Sequence, residues 1–129
     1  ILSIVQAQEE LRELPNGLYT ETVTLGRNLS HSMRQRIILA RALAAEPSLL
    51  VLNGVTERLA PMIANSVITS LKMKFKGTLV LATHDINVLQ QSNTIIAFEL
   101  DGSYTVSSPE HTFKTSSFVA SLTSYPVRP

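Results

Sequence analysis

Two short apolar runs, Leu49-Leu50-Val51-Leu52 and Thr78-Leu79-Val80-Leu81-Ala82, set the tightest limit on how this chain can fold. A continuous apolar run of this length suits a strand buried on both faces of a parallel sheet. The stretch between them, residues 60–74, has Pro61 in its first turn and sets Ile63, Val67, Ile68 and Leu71 on one helical face. Gly77 then breaks the chain before the second run. Strand, helix and strand in this order predict an α/β layered fold.

The flanks extend the pattern. Residues 2–13 read as a short amphipathic helix, with Leu2, Val5, Gln6 and Glu9 spread over its faces and Leu11 and Leu14 closing it. Pro15-Asn16-Gly17 is a turn signal, and residues 18–29 read as a loop in spite of β-leaning Tyr19, Thr22, Val23 and Thr24. Ser30 can cap a helix running to about Ala45, with Ile37, Ile38, Ala40, Leu43 and Ala44 as its apolar stripe and Pro47 beyond its end. Residues 85–91 predict a short helix capped by Asp85. Thr94 to Phe98 predicts a third strand, joined through an Asp101-Gly102 hairpin turn to Tyr104-Thr105-Val106. Residues 109–123 read as one helix and the last six as a tail. No internal repeat or low-complexity segment interrupts this order.

Composition narrows the function classes. At 129 residues the chain holds one domain at most. With 44% apolar and 16% charged residues, it is not a disordered chain. A net charge of +1 gives no electrostatic case for nucleic acid or an anionic membrane. The lack of Cys excludes a disulfide framework and a thiolate metal site, and suits a cytosolic protein. No apolar run reaches the ~18 residues needed to span a bilayer, and no basic and apolar N-terminal pattern marks a signal peptide. The chain opens on Ile1 rather than Met, which predicts a processed or truncated form.

One segment carries more specific information. Leu29-Ser30-His31-Ser32-Met33-Arg34-Gln35-Arg36-Ile37-Ile38-Leu39-Ala40-Arg41-Ala42-Leu43 resembles the signature segment of ATP-binding-cassette (ABC) proteins, LSGGQ-x-QR-x-x-x-ARAL. Glu46-Pro47-Ser48 leads into Leu49 to Gly54, which resembles the Walker B strand, four apolar residues followed by Asp-Glu. Leu79-Val80-Leu81-Ala82-Thr83-His84-Asp85 is similar to the switch-histidine strand. Upstream, Leu14 to Thr20 resembles the LPxGLxT segment of exporter-type cassettes. Downstream, Ile95 to Phe98 and Asp101-Gly102 resemble the end of the core. Each motif alone is weak; their common order and spacing over residues 11–113 are not.

The resemblance implies a partial P-loop ATPase-like core, a parallel sheet flanked by helices, with part of the ABC helical subdomain. Residues 1–46 would form the helical and signature region, 47–113 the core from Walker B to the switch histidine, and 114–129 a C-terminal helix and tail. In the family, two cassettes pair head to tail, with ATP between the Walker A loop of one and the signature helix of the other. A helix N-terminus aimed at the terminal phosphate is the physical basis of that contact.

On this resemblance Ser30 would cap the helix and donate to phosphate in trans; the other reading is an N-cap alone. His31 and Ser32 stand at the two glycine positions, where side chains hinder close approach. Met33 stands at the Gln position and loses a polar contact. Asn53 takes the place of the Asp that holds the water shell of Mg²⁺, keeping one acceptor oxygen without the charge. Gly54 stands where a Glu polarises the attacking water, and general-base loss costs about 10²–10⁴ in rate. Glu57 would substitute only by a different loop path. Glu57-Arg58-Leu59-Ala60 replaces the SALD segment and lacks its interface Asp.

His84 keeps the phosphate-sensing position; a structural His after a strand is the other reading. Arg34 and Arg36 read as a solvated face of the signature helix, which also carries Arg41. No G-x-x-x-x-G-K-[ST] phosphate cradle occurs in the chain. Without the strand that carries it, an apolar sheet edge would be open unless an N-terminal half or another copy covers it.

The implied function is the ATP-binding component of an ABC transporter at the cytoplasmic face of a membrane. It would couple nucleotide-driven dimerisation to transport, with impaired catalysis. ATP and Mg²⁺ are the implied cofactors. A second nucleotide-binding domain and a transmembrane domain are the implied partners, with no nucleic acid. Three alternatives stay open: a non-hydrolysing partner cassette, an ATPase whose catalytic groups come from a partner, and a soluble ABC-type ATPase of DNA maintenance.

Overall fold

The computed structural model describes residues 1–123. They fall into two compact units, one ending at Ala82 and one beginning at Thr83. The tail expected at 124–129 lies outside the described residues.

In the first unit, the helix expected over 2–13 is confined to α1, Gln8–Arg12. The chain before it turns, with Gln6 at φ +55°, yet buries Val5 and Ala7 completely. Single 3-10 turns at Gly17–Tyr19 and Thr24–Gly26 are the only helical pieces in the expected loop. α2 spans His31–Ala44 and is capped by Ser30, as its sequence predicts. Its buried face is Met33, Arg36, Leu39 and Leu43. The expected stripe therefore shares only Leu43, and Ile38 is 58% exposed. The helical spacing is retained but the face is rotated toward Met33 and Arg36. Burial of Arg36 is tolerable because its guanidinium finds acceptors in the Glu10 carboxylate and the Gln6 carbonyl.

β1, Leu49–Asn53, pairs in parallel with β2, Thr78–Ala82, in the register Leu49↔Thr78 to Asn53↔Ala82. Between them α3, Pro61–Lys74, starts on its proline and buries Ala64, Val67, Ile68 and Leu71. Among the described residues, the strands are not covered on both faces. β1 alternates, with Leu50 and Leu52 buried and Leu49 and Val51 54% and 63% exposed; Val80 on β2 is 45% exposed. The apolar runs thus supply an inner face and an outer apolar face that stands in solvent. Gly77 lets β2 enter beside β1. A Cβ there would lie 2.7 Å from the Phe75 ring and press on the Ser48 carbonyl, which accepts from Thr78 N–H at 2.8 Å.

The second unit opens with α4, Ile86–Gln91, capped by Asp85, whose carboxylate accepts from Asn87 N–H at 2.9 Å. β3, Ile95–Phe98, and β4, Tyr104–Ser107, form the expected antiparallel hairpin. Asp101 stabilises its turn by accepting from the hydroxyl and N–H of Ser103 at 2.6 and 2.9 Å. The expected helix over 109–123 is two helices, α5, Pro109–Thr115, and α6, Ser117–Thr123. Ser116 breaks them, extended at ψ 119°. Its hydroxyl accepts from Val119 N–H at 3.1 Å and donates to Glu99 at 2.5 Å. Ile95, Ala97 and Val119 form the core, with Leu89 and Phe113 packed against it. No helix among the described residues is long and apolar enough to cross a membrane.

Candidate functional site

The N-terminal end of α2 is built on Ser30. Its Oγ accepts from Met33 N–H at 3.0 Å, satisfying one of the free donors of the first turn. The same hydroxyl donates to Glu10 Oε1 at 2.8 Å. The other oxygen of Glu10 pairs with Arg36, whose guanidinium also donates to the carbonyl of Gln6. Arg36 further reaches the Ser32 carbonyl at 3.4 Å. Its side chain is 3% exposed. Arg36 is therefore an internal ion-pair partner and not a residue of a solvated face; a carboxylate and a carbonyl replace the water it gives up.

The neighbouring signature positions differ in environment. His31 is exposed, with its Nδ1 3.4 Å from Arg34 Nη2. Ser32 Oγ is buried and has no hydrogen-bond partner among the described residues. Met33 is 1% exposed, so its side chain belongs to the core and not to a ligand-facing surface.

The C-terminal end of β1 carries Asn53, exposed, and Gly54, whose N–H donates to the Ala82 carbonyl at 3.0 Å. Gly54 has φ +60°, a region that penalises a side chain. The chain then winds into a 3-10 turn, Thr56–Arg58, that packs against α2 and α3. This turn folds Glu57 back. A Cβ on Gly54 would lie 3.2 Å from Glu57 Oε2. The loop path thus returns a carboxylate to the place a residue-54 side chain would enter. The sequence offered Glu57 three positions on but no signal for the turn that brings it back.

His84 belongs to the second unit, two residues past Ala82 in sequence. It is exposed, with its ring edge-on to Phe118 at 6.1 Å between centroids. No three His, Cys, Asp or Glu side chains among the described residues gather to hold a metal. The side chains at the end of β1 do not fit Mg²⁺ on their own, since Asn53 offers one neutral side-chain oxygen and Gly54 has no side chain.

The chain is similar in sequence and fold to known proteins. The chain is 33% identical over 95 residues to the ABC multidrug transporter mdr2 of Aspergillus fumigatus, covering 71% of this chain and 12% of that protein. It belongs to the ATP-binding-cassette family. An ABC transporter ATP-binding protein of Bacillus subtilis, YknU, is 35% identical over 95 residues, 72% of the chain and 16% of its own length. The methionine import ATP-binding protein MetN of Vibrio vulnificus is 34% identical over 90 residues, 66% of the chain and 26% of its own. The chain thus spans a minor part of the cassette proteins it matches. No family model matches. In fold, it superimposes on a bacterial Atm1-family ABC exporter solved with ATP bound, with a TM-score of 0.82 at 21% identity, over 95% of this chain and 22% of that one.

Proposed function

We propose that this cassette chain serves in the nucleotide-binding domain of an exporter-type ABC transporter, at the cytoplasmic face of a membrane. Residues 1–46 would supply the signature region, 47–113 the core, and 114–129 a C-terminal helix and tail. The chain pairs with a second nucleotide-binding domain across ATP and passes the motion to a transmembrane domain. Its own chemistry is impaired. The observation that carries this reading is the Ser30-capped helix running into a strand that ends on Asn53-Gly54. The serine cap supports the reading at the signature position, while the sequence lacks the family's carboxylate pair at 53 and 54. The names of the relatives support transport, and the net charge of +1 favours it over DNA maintenance.

The experiment is sedimentation of the chain mixed with an intact exporter cassette, with and without Mg-ATP. A complex that forms only with Mg-ATP, and turns over more slowly than the intact homodimer, is expected. Equal sedimentation in both conditions would contradict the reading. A second reading, an active ATPase, draws on Glu57, whose carboxylate stands beside Gly54. It requires Glu57→Gln to abolish hydrolysis in that complex.

A further inference from the structure

The polar contacts around Ser30 bear on whether this end of α2 is open to a ligand. A serine hydroxyl has one proton to donate. Here it is given to Glu10 at 2.8 Å, while the oxygen accepts from Met33 N–H at 3.0 Å. The hydroxyl's only proton is therefore committed inside the protein. Glu10 also brings a negative charge to the positive end of a 14-residue helix, where an anion is favoured. It is anchored there by Arg36, which is itself buried and tied to the Gln6 carbonyl. Glu10 is not a freely swinging surface side chain; its position is fixed by a group that cannot reach water.

We propose that Glu10 is an internal anion that closes the phosphate-facing end of α2, an autoinhibitory contact that must open before Ser30 can serve a nucleotide. This inference rests on the reading that α2 is a signature helix facing phosphate. An incoming phosphate would meet a like charge and a hydroxyl whose proton is already donated. Withdrawal of Glu10 would free that proton, but it would also leave the Arg36 charge without its carboxylate. Opening is therefore costly, and a partner that supplies phosphate must offset it.

The test is inorganic phosphate titrated into the ¹⁵N-labelled chain, with sodium chloride at matched ionic strength as control. The readout is the amide shifts of His31, Ser32 and Met33. In the wild-type chain these amides are expected to stay unmoved. In Glu10→Ala, which removes the charge and frees the Ser30 proton, they are expected to move, with affinity raised roughly tenfold. If that variant does not fold, Glu10→Ala with Arg36→Met removes both charges and leaves no unpaired buried cation. Wild-type amides that shift as readily as the variant's would overturn the proposal. So would a folded variant whose amides stay as silent as the wild type's. Neither readout needs a partner cassette, so failure of this inference (amide shifts) and failure of the functional reading (Mg-ATP-dependent pairing) are separate observations.

Discussion

Gly54 is a residue where returning to the family pattern carries a structural cost. With φ at +60° and the Glu57 carboxylate 3.2 Å from any Cβ, a glutamate there meets backbone strain and a like charge together. Gly54→Glu is expected to lower stability by about 1–2 kcal/mol in urea unfolding, from the φ penalty alone. Unchanged stability would mean that the turn relaxes freely. At Ser30, replacement by alanine removes the cap and should cost about 1 kcal/mol by the same assay. Arg36→Ala should cost about 2 kcal/mol, less than the roughly 3–5 of a fully buried pair, because Glu10 is 36% exposed and partly resolvated. The cap was legible in the sequence because it acts over three residues. The Arg36 partner was not, because Glu10 lies 26 positions upstream and no local pattern connects them. The spacing Met33, Arg36, Leu39 and Leu43 did hold a signal, masked by the habit of reading arginine as a surface residue.

Among the elements, the β1–β2 pair depends on a close approach at Gly77. A Cβ there would meet the Phe75 ring and the Ser48 backbone, and the backbone cannot step aside without loosening Thr78 N–H from Ser48. Gly77→Ala should therefore cost about 1–3 kcal/mol, the range for overpacking, read as a lower urea midpoint. The helices α5 and α6 depend on Glu99. Ser116 Oγ, Ser117 Oγ and Phe118 N–H all donate to its carboxylate, and these bonds hold its pKa below the ordinary carboxylate value of 4.5. A lowered folded pKa means that the unfolded chain binds the proton more readily. The stabilisation is thus full above pH 4.5 and is lost as pH falls through the lower folded value. Acid titration followed by helix content should show that loss, and Glu99→Gln should remove this carboxylate's share of it. An identical acid profile in the variant would contradict the role. The break at Ser116 could not be read from the sequence because its cause, Glu99, lies 17 positions away on the far side of a hairpin. The order of strands and helices was legible because each is signalled within its own residues. The exposure of Leu49, Val51 and Val80 was not, since periodicity in a run of apolar residues carries no face.

At the scale of the whole chain, membership of the cassette family rests on motifs in order and on relatives about one third identical. The motif order was legible in the sequence; the commitment of Ser30 to Glu10 and the return of Glu57 to Gly54 needed three dimensions. The motif order and the commitment of Ser30 bear on the proposal that this chain has the frame of a nucleotide site without its working groups. The phosphate cradle is absent from the sequence, the signature hydroxyl is engaged, and Asn53 carries no charge. The most direct measurement is calorimetric titration of Mg-ATP into the purified 129-residue chain. No saturable heat is expected. Saturable binding near one nucleotide per chain would contradict the claim, and would mean that these residues form a phosphate cradle of a kind not seen in their contacts.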